Sequence, residues 1–250
     1  MNILATIKSN QKAIAILIDP EKSDNGPLLL ELLKKATFAG IDFLFIGGST
    51  VTRAQFNVTV DFIKKHSSIP LIIFPGSASQ ISPKADGLLY LSLLSGRNPD
   101  YLIGHHIESA AELIEMDLEI IPTAYLLIDG GTQSSVAYVS QTTPIPRDKI
   151  TIVKNTVIAG KLQGKKLVYL DAGSGAKYSV PVEIIASINH LGLPIIIGGG
   201  IKTIEQIQNC HNAGATIVVI GNKLEEDSDF LLDIHLYKKS SLPATSQKIH

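Results

Sequence analysis

The sequence has little of several residue types, and each shortage excludes a class of protein. It contains a single cysteine, Cys210, so an internal disulfide and a cysteine-based zinc site are both excluded. Lysine and arginine number 22 against 23 aspartate and glutamate residues, so the basic excess of a nucleic-acid-binding protein is missing. No apolar run approaches the roughly 20 residues of a membrane-spanning helix, and Met1–Ala13 lacks a signal-peptide core. We therefore expect a cytoplasmic protein without a transmembrane segment that binds no nucleic acid.

Apolar residues, in contrast, are plentiful. They make up 45% of the 250 residues while charged residues make up 18%, which is incompatible with a disordered chain. Eight short segments are almost continuously apolar, as in strands buried on both faces of a parallel sheet. These segments are Ala13–Ile18, Phe43–Ile46, Leu71–Phe74, Gly87–Tyr90, Glu119–Ala124, Leu167–Leu170, Ile195–Ile197 and Ile217–Ile220.

Amphipathic helical patterns separate most of these strands. They cover Pro27–Phe38, Arg53–Lys65, Ser109–Met116, Ile150–Leu162, Pro181–Leu191, Thr203–Asn212 and Ser228–Leu236. The alternation predicts an α/β protein, a (β/α)8 TIM barrel, as one domain over residues 1–237, with a polar, flexible tail over 238–250. Pro75–Asp86 has turn residues and no helical pattern, so we expect a loop or strand in place of the third helix. A doubly wound sheet is the alternative, but Asp19-Pro20 stands where that fold has a glycine-rich turn.

In a TIM barrel the active site lies at the carboxyl ends of the strands. Glycine clusters follow the sixth, seventh and eighth predicted strands, at Gly173–Gly175, Gly198–Gly200 and Gly221. Glycine lets backbone amides approach an anion closely, and a helix capped by Thr203 adds a positive dipole. The pattern predicts a phosphate site, to which the hydroxyls of Ser174 and Tyr169 can donate. The alternative interpretation is that the glycines only form tight turns.

Two carboxylates follow strands at the same end of the predicted barrel. Asp19 is placed either to bind a hard cation such as Mg²⁺ or to form a turn before Pro20. Asp171 is placed either to act as a general base or to hydrogen-bond its own loop. In strand order, Asp171 lies between the end that would bind the cation and the end that would bind the phosphate. The hydroxyls of Ser49 and Thr50 either lie beside the Asp19 carboxylate or cap the helix that begins near Arg53.

Other reactive side chains are interpreted as structural. His105 and His106 are adjacent in sequence, which is poor geometry for binding one metal, so we expect them to lie on the polar surface. Cys210 lies on a helix face and is expected to pack there. Tyr90, Tyr101 and Tyr125 are expected in the core.

Six segments together resemble the geranylgeranylglyceryl phosphate synthase family. The resemblance extends in order from about Ala13 to Ile234, and the YLDAGSGA block combined with the GGG and GN segments is its most specific part. The six segments are LIDPEK (Leu17–Lys22), IGGST (Ile46–Thr50), PTAYLL (Pro122–Leu127), YLDAGSGA (Tyr169–Ala176), IIGGGI (Ile196–Ile201) and IGN (Ile220–Asn222).

The resemblance implies a modified TIM barrel that forms an ether bond between sn-glycerol 1-phosphate and a prenyl diphosphate and releases diphosphate. It implies Mg²⁺ as cofactor, with Asp19 and Ser49 as ligands, and Asp19 and Asp171 as catalytic residues. The family more often has glutamate at the position of Asp171. The substrate-binding residues implied are Tyr169, Leu170, Asp171, Ala172, Gly173, Ser174, Gly175, Gly199, Gly200, Gly221 and Asn222.

The resemblance leaves the prenyl chain open. Geranylgeranyl diphosphate is the preferred expectation and heptaprenyl diphosphate the alternative, with Leu88–Leu94 and Tyr101 shaping a groove for the tail. The candidates for the residue that ends this groove are Phe38, Phe74, Tyr90 and Tyr101. We also expect a homo-oligomer and a transient contact with membrane for product release. Two other classes remain open, namely a metal-independent phosphosugar isomerase or lyase on the same barrel and a non-catalytic phosphate-binding barrel.

Overall fold

Eight parallel strands pair in sequence order and close into a barrel, with β8 beside β1. This arrangement comes from a computed structural model, which describes residues 2–23 and 25–241 and the side chains up to residue 240. The strands are β1 (Ala13–Ile18), β2 (Phe43–Ile46), β3 (Leu71–Ile73), β4 (Gly87–Leu93), β5 (Glu119–Leu127), β6 (Leu167–Asp171), β7 (Ile195–Gly198) and β8 (Ile217–Ile220). The predicted TIM barrel is confirmed.

Helices surround this barrel. They are α1 (Ile3–Ser9), α2 (Pro27–Ala39), α3 (Arg53–His66), α4 (His105–Leu113), α5 (Ser135–Val139), α6 (Ile150–Leu162), α7 (Val182–Ile188), α8 (Ile204–Ala213), α9 (Asn222–Glu226) and α10 (Phe230–Ser241). A π-helical turn, Asp100–Gly104, leads into α4, and a 3₁₀ turn, Asn189–Leu191, follows α7. As expected, the described chain between β3 and β4 contains no helix.

Several predicted boundaries were wrong, among them the start of α4 and the end of the last helix. The prediction started α4 at Ser109, but the π-helical turn carries the helical path through Gly104 and begins α4 at His105. The predicted polar tail started at residue 238, but α10 continues to Ser241 because Lys238 hydrogen-bonds the carbonyl of Gly40 and pairs with Asp42. The remainder of that tail, 242–250, lies outside the described residues. No helix in the described ranges is both long and apolar enough to cross a membrane.

The barrel interior is filled by alternate side chains of each strand. Phe43, Phe45 and Tyr169 point inward, whereas Leu44 and Ile46 point outward and pack against the helices. At the amino-terminal end of the barrel, Ile3 and Ile7 of α1 join the interior cluster and are fully buried. The functional end is therefore the opposite one.

The barrel wall has a gap between β3 and β4. β3 is so short that it pairs with β4 only at Ile72–Gly87 and Ile73–Leu88, whereas β4 pairs with β5 from Gly87 to Leu93. The upper half of β4 therefore has no β3 partner. His106 of α4 reaches into this gap, and its Nε2 lies 2.7 Å from the carbonyl oxygen of Leu91.

Candidate active site

A cavity of about 360 Å³ opens at the carboxyl end of the barrel; we call it the mouth cavity. It brings together most of the residues that the sequence predicts for the site. Those lining it are Asp19, Ser49, Tyr169, Asp171, Ser174, Gly175, Gly199, Gly200, Gly221 and Asn222. Leu170 and Ala172 do not line it, because their side chains belong to the core between barrel and helices, and Gly173 does not line it because it is buried against Ser134. For Leu170 and Ala172, only the backbone remains available to a substrate.

The loops after β6, β7 and β8 form one polar cradle. Oδ1 of Asn222 accepts hydrogen bonds from the hydroxyl of Ser174 and from the amide of Gly175, both at 3.0 Å. Gly199 and Gly200 have φ values of +79° and +72°, which side chains rarely adopt. The loop after β7 therefore depends on glycine to turn into the cavity, and Thr203 then caps α8 with a capping box, as predicted.

Lysines contribute positive charge that the sequence analysis did not single out. Lys22, Lys202 and Lys223 all line the mouth cavity. Lys22 pairs with Glu225 and Lys223 pairs with Asp227. In the described part of the chain, Lys202 has no salt-bridge partner, so its ammonium group is the one available to an anion at this end. Lys202 could have been predicted as a site residue, because it follows the glycine cluster and Ile201 directly in the sequence.

Asp171 is almost fully buried at the end of β6. Its Oδ2 accepts a hydrogen bond from the hydroxyl of Tyr125, and its Oδ1 accepts one from the amide of Gly173, both at 2.7 Å. Burial raises the pKa of the Asp171 carboxyl, and these two hydrogen bonds oppose the rise. Each oxygen keeps a free lone pair, so the predicted role as a base and the predicted loop hydrogen bond are compatible.

Aromatic rings form the floor beneath Asp171. The rings of Phe74 and Tyr169 are stacked with centroids 4.8 Å apart, and Tyr125 packs edge-on against both. Burial and the Asp171 carboxylate raise the pKa of Tyr125 well above its usual value, so its hydroxyl remains a donor to Asp171. Tyr169 is 1% exposed, and its hydroxyl packs against Gly198, the last residue of β7.

At the other side of the mouth cavity, Asp19 both forms the predicted turn and presents its carboxyl group to the cavity, where a cation could bind. Its Oδ1 accepts the amide of Glu21 at 3.0 Å, which forms the turn, while its carboxyl group lines the cavity. Burial raises the pKa of Asp19. The alternative in which Ser49 or Thr50 caps α3 is wrong, because Thr52 is the cap and forms a capping box with Gln55. Ser49 therefore stays available in the cavity.

The order of these groups around the mouth differs from the expected order. Because β8 pairs with β1, the loops after β7 and β8 lie between Asp171 and Asp19 by the shorter path. The salt bridge from Lys22 to Glu225 spans that junction. The end predicted to bind phosphate is thus in the middle, with one carboxylate on each side.

The cavity also extends sideways through the gap between β3 and β4. We call this extension the side groove, and it is lined by Ile81, Leu88, Tyr90, Ser109 and Leu113. Leu88, Ile81 and Leu113 are nearly fully buried and give it apolar walls. Of the candidates for ending a groove, Phe38 is excluded, because it is 60% exposed and stacks on His235 outside the cavity.

The expectation that His105 and His106 lie on the polar surface was wrong. Both line the cavity and are half-buried. His106 stacks on Tyr90 with ring centroids 4.0 Å apart, and the Tyr90 hydroxyl donates to the His106 carbonyl at 2.8 Å. Burial lowers the pKa of His106, which favours the neutral ring. Cys210 is buried in α8 as expected, with its pKa raised to about 11.

A closed parallel barrel with a polar, glycine-rich cradle, two carboxylates at its mouth and an apolar side groove has the architecture of a barrel enzyme. The chain belongs to the PcrB family, which it matches over residues 7–238. It is 50% identical over 226 residues to the geranylgeranylglyceryl phosphate synthase of Zunongwangia profunda, covering 89% of this chain and 95% of that one. The protein of that name from Thermococcus kodakarensis is 39% identical over 219 residues, with 86% and 85% covered.

Solved structures show the same relationship. The crystal structure of (S)-3-O-geranylgeranylglyceryl phosphate synthase from Thermoplasma acidophilum, in complex with its substrate sn-glycerol-1-phosphate, superposes with a TM-score of 0.88 at 33% identity. The alignment covers 96% of this chain and 98% of that one. A tryptophan synthase α-subunit from Pyrococcus furiosus, at 14% identity and a TM-score of 0.54, shares the fold alone.

Proposed function

We propose that the protein is a prenyltransferase that joins sn-glycerol 1-phosphate to geranylgeranyl diphosphate through an ether bond and releases diphosphate. The observation that carries this proposal is the combination of the phosphate cradle and the side groove in one cavity. A phosphosugar isomerase needs the cradle but has no use for an apolar groove that leaves the barrel through its wall. The names of the relatives support the same reaction.

The cradle and Asp171 suit the acceptor substrate. The phosphate of glycerol phosphate binds at Gly199, Gly200 and Asn222, with Lys202 supplying charge. A glycerol hydroxyl then faces Asp171, which takes its proton as the oxygen attacks the first carbon of the prenyl chain. The bond from that carbon to the diphosphate oxygen breaks, and the diphosphate leaves with the electron pair.

Asp19 and Ser49 fit Mg²⁺ only as part of a larger set of ligands. Among the described residues there is no group of three or more histidine, cysteine, aspartate or glutamate side chains that could hold a metal ion. One carboxylate and one hydroxyl match the way in which Mg²⁺ binds through few protein oxygens and the phosphates of a substrate. We therefore propose that Asp19 and Ser49 hold a magnesium ion that arrives with the diphosphate. When bound, the ion would neutralise charge on the leaving diphosphate.

Product analysis tests the proposed reaction directly. Radiolabelled sn-glycerol 1-phosphate is incubated with geranyl, farnesyl, geranylgeranyl and heptaprenyl diphosphates in turn, with Mg²⁺. A labelled ether product with the highest kcat/KM for geranylgeranyl diphosphate supports the proposal. A maximum for heptaprenyl diphosphate moves the protein to the alternative chain length. Absence of product with all four contradicts the proposal and favours the isomerase or lyase.

Ser109 offers a way to block the side groove. Its side chain is 6% exposed between Tyr90 and Leu113, so Ser109→Phe should fill the groove with an aromatic ring. Each methylene that can no longer be buried costs about 0.8 kcal/mol, so kcat/KM should fall more for geranylgeranyl than for geranyl diphosphate. Ala110→Phe on the exposed face of the same helix is the matched control. Equal losses for both substrates would show that the tail binds elsewhere.

Tyr125 controls the proton affinity of Asp171 and makes a pH prediction possible. The base must be deprotonated, so kcat/KM should fall as pH drops through the pKa of Asp171, which burial raises. Tyr125→Phe removes the hydrogen bond that stabilises the carboxylate, so the pKa should rise further. The acid limb of the kcat/KM profile should therefore move to higher pH in the variant. An unmoved limb would mean that Asp171 is not the group that titrates.

Two partner proposals accompany the function. We propose a homo-oligomer, because apolar residues make up 45% of the chain and charged residues only 18%; light scattering at micromolar concentration that detects only monomer would contradict it. An ether product with a long apolar tail has to leave for a lipid phase, so we propose a transient contact with membrane. Release of product into added vesicles, compared with buffer alone, measures that contact.

A further inference from the structure

Gln80 is a buried amide in the segment that replaces the third barrel helix. Its side chain has no exposed surface, although glutamine is mostly found on protein surfaces. Neither the phosphate cradle nor the side groove contains it. A fully buried carboxamide so close to a cavity needs a physical reason.

Its hydrogen bonds join two loops at the barrel mouth. Nε2 donates to the carbonyls of Gly48 at 2.8 Å and Val51 at 3.4 Å, both in the loop after β2. Oε1 accepts from the amide of Gly76, in the loop after β3, at 2.9 Å and from the amide of Gly48 at 3.4 Å. The partners are two N–H and two C=O groups. A carboxamide satisfies both kinds with one group, whereas a carboxylate or an apolar side chain does not.

The peptide that Gln80 holds lies directly against Asp19. A Cβ atom placed on Gly48 would be only 2.7 Å from Oδ1 of Asp19, so the backbone at position 48 packs on that carboxyl group. Ser49 is the next residue, and its side chain lines the mouth cavity. Because both the N–H and the C=O of Gly48 are hydrogen-bonded to the side chain of Gln80, the position of Ser49 relative to Asp19 depends on the Gln80 amide.

We infer that Gln80 is a positioning residue that fixes Ser49 beside Asp19 and so shapes the subsite for magnesium and the diphosphate of the prenyl substrate. This inference rests on the proposed function. The phosphate cradle is built from the loops after β6, β7 and β8 and makes no hydrogen bond with Gln80 in the described structure. Loss of the amide should therefore affect the two substrates unequally.

The test compares ligand affinities in Gln80→Leu, Gln80→Glu and the wild type. Calorimetry gives the Kd of inorganic diphosphate with Mg²⁺ and the Kd of sn-glycerol 1-phosphate, and thermal unfolding gives Tm. We expect Gln80→Leu to raise the Kd of magnesium diphosphate about 10-fold, since several hydrogen bonds are lost. The Kd of glycerol phosphate should change less than about twofold, because the cradle is separate. Ser82→Ala, a buried position in the same segment, is the control and should leave both values unchanged.

Gln80→Glu adds a pH readout that a purely structural role would not produce. A protonated glutamic acid has one donor and an acceptor, and complete burial raises its pKa. Relative to the wild type at each pH, diphosphate binding by this variant should improve as pH falls, whereas the leucine variant should show no such trend. The glutamate variant also keeps the shape of the side chain, so it serves as the test if the leucine variant does not fold.

The outcomes separate the two proposals. Equal weakening of both ligands, or a lower Tm with both affinities unchanged, shows that Gln80 only stabilises the fold and overturns the inference. In either case wild-type turnover still decides the function. If the wild type binds glycerol phosphate but does not bind magnesium diphosphate, the inference and the proposed prenyl transfer both fall.

Discussion

Replacing Asp171 with asparagine is expected to lower kcat by about 10²–10⁴-fold, the usual contribution of a general base. The amide cannot take a proton, and its NH₂ group cannot accept a hydrogen bond from Tyr125 or from the amide of Gly173. The Kd of glycerol phosphate should change little, because the cradle formed by Asn222 and the loop after β7 remains. Single-turnover rates and calorimetry on the same preparation measure the two effects separately.

Asp129 supplies the matched control for this variant. Its Oδ1 accepts the amide of Gly131 at 2.9 Å, just as Asp171 accepts the amide two residues onward, but Asp129 is exposed and outside the mouth cavity. Asp129→Asn should retain wild-type kcat. Asp171→Glu keeps a carboxylate and should be clearly more active than Asp171→Asn. If the asparagine variant turns over within a few-fold of wild type, Asp171 serves the loop and not the chemistry.

Much of the barrel could be predicted from the sequence because buried parallel strands are continuous apolar runs. β1, β2 and β8 were predicted with their observed bounds. β4 was predicted to end at Tyr90, but it continues through the polar Ser92 to Leu93. Ser92 faces the helix layer and accepts a hydrogen bond from the ammonium group of Lys165. A partner 73 residues away satisfies its polarity, and no local pattern reveals such a partner.

In the candidate site, too, residues with a local sequence signal could be predicted and contacts between distant residues could not. Glycine after a strand end is a local signal, so Gly175, Gly199, Gly200 and Gly221 were found. The pairing of Asn222 with Ser174 joins residues 48 positions apart, and Gln80 bonds to Gly48 over 32 positions. Such contacts exist only after the barrel has closed. The order of the two carboxylates around the mouth likewise depends on the pairing of β8 with β1, which is a property of the closed sheet.

α1 shows a different limit of sequence reasoning. Its Asn2 cap and the apolar pair Ile3 and Ile7, one turn apart, are a helix signal, yet the helix was not predicted. A short helix is marginal alone, and this one is stabilised by filling the amino-terminal end of the barrel. Glu119 accepts hydrogen bonds from the amides of Ile3 and Leu4, which fixes the helix to β5. Tertiary contacts, not local propensity, explain this element.

Asp19→Asn is the second substitution with a large expected effect, and it separates the two interpretations of Asp19. Asparagine can still accept the amide of Glu21, so the turn and Tm should be preserved. What it removes is the negative charge that a hard cation needs. If Asp19 holds magnesium with the diphosphate, turnover should fall by about 10³-fold, since metal stabilisation of the leaving group amounts to several kcal/mol.

Asp19→Asn should also affect the affinities for the two ligands unequally. The Kd of glycerol phosphate should stay near the wild-type value because its cradle lies at the loops after β6 to β8, whereas the Kd of inorganic diphosphate with Mg²⁺ should rise. Glu21→Gln removes a charge at the same mouth, where Glu21 accepts a hydrogen bond from Thr50. A much smaller loss in Glu21→Gln assigns the effect to Asp19 itself, whereas an equal loss assigns it to the general negative field. A variant at position 19 that keeps the wild-type rate at limiting Mg²⁺ would leave Asp19 as a turn residue only.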